Sequence, residues 1–201
     1  MGTDEKKSAR ESSVSTPRSP LPTPHSPFST RLFLAGYRGT GKTTVAKLLA
    51  AQLGWRWIDT DDLVEQAAGK TIAQIFADEG ELAFRDLEAV VVASVCEQEQ
   101  LVVALGGGAI LREASRNRIR TAGRVVSLMA DARALAERLA SDSTTGTRRP
   151  NLTATGGLAE IEQVLAERTP IYQQCADRVI DTTNHTPTEV AKQIADWLEE
   201  E

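Results

Sequence analysis

Short apolar runs alternate along the chain with longer segments in which apolar residues recur every three or four positions. The short runs are nearly continuous in apolar residues, which is typical of strands buried inside a parallel sheet. They cover residues 32–35, 55–58, 101–105, 124–129 and 178–181. The pattern therefore predicts five short strands.

The segments between these runs have the spacing of amphipathic helices. They cover residues 44–53, 62–97, 112–121, 131–140, 157–176 and 187–198. Gly54 is expected to end the first helix, Gly69 and Gly80 to break the second segment, and Pro170 to interrupt the fifth. Alternating strands and helices predict an α/β fold in three layers, a five-stranded parallel sheet with helices on both faces.

Residues 1–30 differ from the rest of the chain. They contain five of the eight prolines and many Ser and Thr residues, with almost no clustering of apolar residues. Such a segment cannot bury enough surface to offset the entropy of ordering it, and we expect a disordered tail ahead of a folded domain at 31–201. The tail lacks the apolar centre of a secretory signal.

Composition and charge narrow the function classes. The net charge of −5 argues against nucleic acid as the main partner, because binding to a phosphate backbone requires a basic face. No apolar run approaches the roughly 20 residues that cross a bilayer, so no membrane association is expected. Cys96 and Cys175 lack metal-type spacing and indicate ordinary thiols in a reducing compartment. We expect a cytoplasmic monomer.

The first predicted strand is followed directly by Gly-Tyr-Arg-Gly-Thr-Gly-Lys-Thr at 36–43. This segment fits G-x-x-x-x-G-K-[ST], the phosphate-binding P-loop, with the strand before it and the helix after it that the motif requires. The candidate nucleotide-binding residues are Gly36, Gly39, Thr40, Gly41, Lys42 and Thr43 of this segment, together with the next residue, Thr44. Glycines let backbone N–H groups point at phosphate oxygens, and the helix N-terminus adds partial positive charge. We expect Lys42 to reach the β- and γ-phosphates of ATP and the Thr43 hydroxyl to bind Mg²⁺; a chance glycine-rich turn is the alternative.

Three carboxylates, those of Asp59, Asp61 and Asp62, follow the second predicted strand. In open α/β sheets, the carboxyl ends of the strands form the edge at which ligands bind. The alternative is a helix N-cap, since Asp and Thr cap helices well. Because three carboxylates in four positions exceed what a cap requires, we favour a chemical role while one of them caps the helix.

Two further segments suit the same site. Gly106, Gly107 and Gly108 follow the third predicted strand and allow the backbone to approach a ligand closely, although a flexible turn is the alternative. The polar loop at 141–151 contains Arg148 and Arg149 between two predicted helices. Such a loop can close over a reacting phosphate and exclude water, or it can be a solvated connection.

In their order and spacing, these motifs resemble those of shikimate kinases, from about residue 31 to the C-terminus. The set comprises the P-loop, Asp-Thr-Asp at 59–61, Phe-Arg at 84–85, Gly-Gly-Gly at 106–108, Arg-Pro at 149–150 and Arg-x-Pro-x-Tyr at 168–172. The resemblance implies a P-loop kinase fold with a lid at about 142–157. It also implies ATP-dependent phosphorylation of the 3-hydroxyl of shikimate, in the chorismate and aromatic amino-acid pathway.

The resemblance also implies roles for individual residues. Asp61 would bind the ring hydroxyls and accept the proton of the attacking 3-hydroxyl, and Asp59 would hold Mg²⁺, through water. Arg85 and Arg168 would clamp the substrate carboxylate, which a planar guanidinium pairs with through two parallel hydrogen bonds. Arg149 would reach the transferring phosphoryl group.

Two segments would complete the site. The glycines at 106–108 would offer backbone N–H groups to the substrate, and the loop at 184–187, with His185, would hold adenine.

Several alternatives stay open. Arg85 and Arg168 are each compatible with an ordinary place in a helix or a surface salt bridge, and either Arg148 or Arg149 is the lid arginine. Arg38, inside the P-loop, has no assigned role. A gluconate-type kinase and a non-catalytic relative that keeps the fold are the two rival functions, and intact Lys42, Thr43, Asp59 and Asp61 disfavour the second.

Overall fold

The computed structural model describes residues 30–141 and 156–200. The predicted tail, apart from residue 30, lies outside the described residues. So does the predicted lid, apart from residues 156 and 157, and with it Arg148 and Arg149.

Five parallel strands form one sheet, in the order β2-β3-β1-β4-β5. They are β1 Arg31–Ala35, β2 Arg56–Asp59, β3 Leu101–Ala104, β4 Arg124–Met129 and β5 Arg178–Asp181. The five predicted strands are confirmed, with β2 displaced by one residue. Because β1 is central and its neighbours run parallel to it, the carboxyl ends of all five strands lie at one edge of the sheet.

Seven helices surround the sheet in the described part of the chain. They are α1 Lys42–Leu53, α2 Thr60–Ala68, α3 Ile72–Val95, α4 Glu113–Ala122, α5 Ala132–Ser141, α6 Gly157–Cys175 and α7 Pro187–Glu199. Gly54 and Gly69 end α1 and α2 in the left-handed conformation, and Gly80 has non-helical dihedral angles inside α3, as the sequence predicts. Thr186 caps α7 through a capping box with Glu189, and Pro187 occupies the first turn.

The predicted interruption at Pro170 is wrong, because α6 continues through it. Proline removes one backbone hydrogen bond from a helix interior. The helix nevertheless buries Ile161 and Val164 before the proline and Tyr172 and Cys175 after it, all in one core cluster. Packing on both sides therefore outweighs the lost bond.

The core has two halves, one on each face of the sheet. Leu32 and Leu34 of β1 point to the side covered by α1 and α7, whereas Phe33 and Ala35 point to the side covered by α3 to α6. This alternation is the two-residue period of a strand, and burial on both faces explains why β1 is apolar throughout. Within residues 30–141 and 156–200, no helix is both long and apolar enough to cross a membrane.

Candidate active site

The P-loop joins β1 to α1 and has the backbone shape that phosphate binding requires. Gly39 and Gly41 have φ angles of 81° and 90°, values that L-amino acids with side chains rarely adopt. Gly41 is the N-cap of α1 and has no side chain to cap the helix, so the first N–H groups of α1 face the loop. These N–H groups are the donors that a phosphate accepts from.

The side chains of the P-loop divide into two groups. The Lys42 ammonium donates to the carbonyl oxygens of Gly36 and Tyr37 at 2.9 and 2.8 Å, so it arches back over the loop. Thr40, by contrast, is buried and donates its hydroxyl to the Tyr37 carbonyl at 2.8 Å. Lys42 is therefore positioned to meet a phosphate, whereas the Thr40 side chain closes the loop on itself.

A Thr–Asp pair links the P-loop to the acidic cluster. The Thr43 hydroxyl donates to Asp59 Oδ2 at 2.7 Å, and Asp59 Oδ1 accepts from the Asp61 backbone N–H at 2.9 Å. Asp59 is thus the N-cap of α2, as the alternative interpretation predicted, and it touches the P-loop hydroxyl as well. A hydroxyl beside a carboxylate is the donor set that P-loop proteins offer to Mg²⁺. Within residues 30–141 and 156–200, no group of three or more His, Cys, Asp or Glu side chains could hold a metal ion.

One cavity of about 500 Å³ brings most of the predicted residues together at the carboxyl edge of the sheet. It is lined, among others, by Arg38, Gly39, Gly41, Lys42, Thr43, Thr44, Asp59, Asp61, Gly107 and Arg138. Nucleotide-binding residues and Asp61 therefore share a single space. Residues that follow three neighbouring strands, β2, β3 and β1, create this arrangement.

The three glycines after β3 differ in how much room a side chain would have. A Cβ atom at Gly106 would lie 2.5 Å from Asp61 Oδ1, and a Cβ at Gly108 would overlap the Arg85 guanidinium. At Gly107 it would only touch the P-loop, 3.5 Å from the Gly36 carbonyl oxygen. Gly106 and Gly108 thus leave the room that Asp61 and Arg85 occupy.

The expectation that all three glycines donate to a substrate is corrected for Gly106. Its backbone N–H already donates to the Thr60 hydroxyl at 2.7 Å, because α2 begins where β3 ends. Gly107 accepts the Tyr172 hydroxyl through its carbonyl oxygen at 2.6 Å, which leaves its N–H aimed elsewhere.

Arg85 and Arg168 do not line the cavity. Arg85 pairs instead with two carboxylates of its own helix. Arg85 Nη1 donates to Glu88 Oε2 at 2.8 Å, and its Nη2 donates to Glu81 at 3.1 Å, so the salt-bridge interpretation of Arg85 holds in part. The Arg85 side chain is nevertheless 11% exposed, which is not a surface position. Burial raises the pKa of Glu88, and the positive charges of Arg85 and Arg168 oppose that rise.

Glu88 is a residue of the site that the sequence interpretation missed. It occupies a core position of α3, on the face of Phe84, Val91 and Val95, and its Oε1 makes no hydrogen bond to the described residues. A carboxylate on the apolar stripe of a helix was the signal available in the sequence. It anchors the arginine that the sequence did predict.

A second cavity of about 190 Å³ adjoins the back of the P-loop. His185 lines it with Gly39, Thr40, Gly41, Val45, Arg138, Thr182, Pro187 and Val190. The sequence interpretation missed Arg138, whose guanidinium donates to the carbonyl oxygens of Thr182 and Thr183 at 2.6 and 3.1 Å. Arg138 also donates to the Gly39 carbonyl oxygen at 3.4 Å, so it ties the P-loop to the loop that precedes α7.

Comparison with known proteins adds to this geometry. The family model described as shikimate kinase matches residues 38–199. A shikimate kinase of Rhodopirellula baltica is 47% identical over 163 residues, 81% of this chain and 87% of that protein. Shikimate kinase 2 of Yersinia enterocolitica is 43% identical over 170 residues, 85% of this chain and 96% of that protein.

A solved structure agrees with the sequence matches. The shikimate kinase of Acinetobacter baumannii, in complex with shikimate, superposes with a TM-score of 0.80 at 32% identity, covering 86% of this chain and 94% of that one. The residues that the family model matches include Lys42 and Thr43 of the P-loop, the acidic cluster at 59–62, and Arg85 and Arg168. The chain therefore belongs to the shikimate kinase family.

Proposed function

We propose that the cavity at the carboxyl edge of the sheet transfers the γ-phosphoryl group of ATP to the 3-hydroxyl of shikimate, with the residue roles given below. The protein is an ATP-dependent kinase of shikimate. One observation supports these residue roles. Lys42, the Thr43–Asp59 pair and Asp61 all line one cavity. A phosphate donor and a hydroxyl acceptor can meet there.

The reaction needs positioning and charge stabilisation more than covalent chemistry. The bond from the γ-phosphorus to the β–γ bridging oxygen breaks while a bond to the acceptor oxygen forms. Asp61 orients the acceptor hydroxyl and takes its proton. Lys42 and the N–H groups at the start of α1 stabilise the charge that develops on the phosphoryl oxygens.

Thr43 and Asp59 would hold Mg²⁺, which supplies charge neutralisation at the β- and γ-phosphates. In the same proposal, the 190 Å³ cavity with Arg138 and His185 takes the adenine end of ATP. Arg85 and Arg168 take the substrate carboxylate, and Glu88 orients Arg85 through the bond from its Nη1. The roles of Arg149 and the lid, the monomeric state and the cytoplasmic location stay predictions.

Asp61→Asn tests the role of Asp61 as the base. It keeps the shape of the side chain and removes the base, so phosphoryl transfer should fall by about 100-fold or more while ATP binding survives. ADP release would be followed with saturating shikimate, and ATP affinity would be measured by titration calorimetry. Wild-type turnover in the variant would remove Asp61 from the mechanism.

If the protein were instead a non-catalytic relative that keeps the fold, different results would be expected. Such a protein would be stabilised thermally by ATP with Mg²⁺ and by shikimate, and it would release no ADP when both are present. The intact set Lys42, Thr43, Asp59 and Asp61 argues for catalysis.

A further inference from the structure

Arg38 is the one charged residue inside the P-loop to which neither the motif nor the resemblance gives a task. It lines the 500 Å³ cavity together with Lys42, Asp61 and Gly107. Its backbone nitrogen lies 3.8 Å from the position a Cβ of Gly107 would take, so Arg38 sits where the P-loop meets the glycine segment after β3. We call this junction of the P-loop with the glycine segment the seam; in the proposed function, the nucleotide lies on its P-loop side and the acceptor on the side of Asp61 and the glycines.

The Arg38 side chain is held in one orientation by two neighbours. Its Nη2 donates to Glu160 Oε1 at 2.5 Å, and its Nε donates to the Tyr37 hydroxyl at 3.2 Å. The guanidinium also lies over the Tyr37 ring, 5.6 Å from the ring centroid. Among residues 30–141 and 156–200, these bonds use Nε and Nη2, and the side chain itself lines the 500 Å³ cavity.

Burying the Glu160 carboxylate costs free energy that a merely structural role would not require. Its side chain is fully buried, and the Arg38 side chain is 15% exposed. An ion pair of this kind gains little stability over an apolar pair, because both charges lose their hydration. The pair is therefore better explained by what it orients than by what it stabilises.

The helix that carries Glu160 supports this explanation. Glu160, Arg168 and Tyr172 lie on one face of α6, at spacings of eight and four residues. Tyr172 donates to the Gly107 carbonyl oxygen, and Glu160 accepts from Arg38 of the P-loop. One helix face therefore contacts both the P-loop and the glycine segment.

We propose that Arg38 is a catalytic residue that donates from its guanidinium to the γ-phosphoryl group during transfer, and that Glu160 is the positioning residue that holds it there. The proposal rests on the proposed function, since it assigns a further residue to the same reaction. A rigid guanidinium beside the seam adds positive charge where the phosphoryl group passes from ADP to the acceptor oxygen. The proton of the acceptor still goes to Asp61, so Arg38 changes no bond itself.

The test must separate catalysis from folding. Arg38→Met alone removes the guanidinium that pairs with the buried Glu160 carboxylate, and the protein could fail to fold for that reason. The double variant Arg38→Met/Glu160→Gln removes both charges and keeps the volumes. Its control is Arg112→Met/Asp86→Asn, which removes another arginine–carboxylate pair, joined at 2.7 Å, that does not line the cavity.

In the double variant kcat should fall by about 100-fold, whereas the KM values for ATP and shikimate change by less than about threefold. Glu160→Gln alone should lose about tenfold in kcat, because Arg38 remains but is less well oriented. The control pair should keep kcat within about threefold of the wild type.

A second measurement is one that a structural role would not change. ADP with aluminium fluoride and shikimate mimics the transferring phosphoryl group, and the double variant should bind this mixture about 100-fold more weakly while it binds ADP alone normally. Full kcat in the double variant, or equal weakening of ADP and of the mimic, would overturn the role of Arg38. Absence of shikimate-dependent ADP release in the wild type would instead overturn the proposed function, and this proposal with it.

Discussion

Gly106→Ala is the substitution whose effect the structure predicts most sharply. The added Cβ would lie 2.5 Å from Asp61 Oδ1, whereas ordinary contact begins at 3.4 Å. The same Cβ would lie 3.2 Å from Glu88 Oε1. The backbone of Gly106 cannot easily retreat, because its N–H bonds Thr60 at 2.7 Å and its carbonyl oxygen accepts from Ala109 at 3.0 Å.

The Asp61 carboxylate must therefore move by about 0.9 Å. A displacement of about 1 Å in a catalytic group costs on the order of 100-fold in rate, or about 2.7 kcal/mol in the activation free energy. We expect kcat/KM for shikimate to fall by about that factor. ATP affinity should be unchanged, because Gly106 does not line the nucleotide cavity.

The assay is steady-state ADP release with varied shikimate, and Gly107→Ala is the matched control. The neighbouring glycine also lacks a positive φ, and its added Cβ would meet nothing closer than 3.5 Å. Gly107→Ala should lose less than about tenfold, because no atom has to move. A folded Gly106→Ala protein with wild-type kcat/KM, or equal losses in the two variants, would refute the placement of Asp61 against Gly106.

Three further variants probe other parts of the site. Arg85→Ala should raise the KM for shikimate by about 50-fold and leave the KM for ATP nearly unchanged, because it removes a charge-assisted contact to the shikimate carboxylate. Equal rises in both KM values would indicate a folding role. Arg138→Ala should raise the KM for ATP by about tenfold, since it unties Gly39 from Thr182; an unchanged KM for ATP would exclude the adenine pocket proposed there. Glu88→Gln should alter the pH dependence of stability. Because burial raises the pKa of Glu88 above its ordinary value of 4.5, the wild-type protein should lose free energy of unfolding, relative to the variant, as pH rises from 4.5 through the raised pKa. Urea midpoints across that range would measure the difference, and parallel curves would contradict it.

The sequence predicted the fold and the nucleotide half of the site because their signals are local. The P-loop is eight consecutive residues, and the strand before it and the helix after it can be recognised from neighbouring positions. The Asp59 cap and the Thr186 capping box are local as well. The residues of the site then share one cavity because of the strand order, in which β1 and β3 are adjacent.

What the sequence did not predict depends on contacts between distant segments. The Arg38–Glu160 pair joins residues 122 positions apart, and no local pattern relates them. Arg138 is similar, because its acceptors lie on the loop after β5. Glu88 can be recognised in the sequence as a charge on an apolar helix face. Its role, however, depends on Arg168, which lies on another helix, α6. Pro170 shows the converse, since tertiary packing overrides a local signal.

Shikimate-dependent ADP release by the purified protein with Mg-ATP should be compared with the release obtained with gluconate and with other hydroxy acids and sugars as acceptors. We expect ADP release with shikimate, one phosphoryl group added at its 3-hydroxyl, and no release above background with gluconate. Equal or faster release with gluconate, or none with shikimate while ATP still binds, would contradict this expectation.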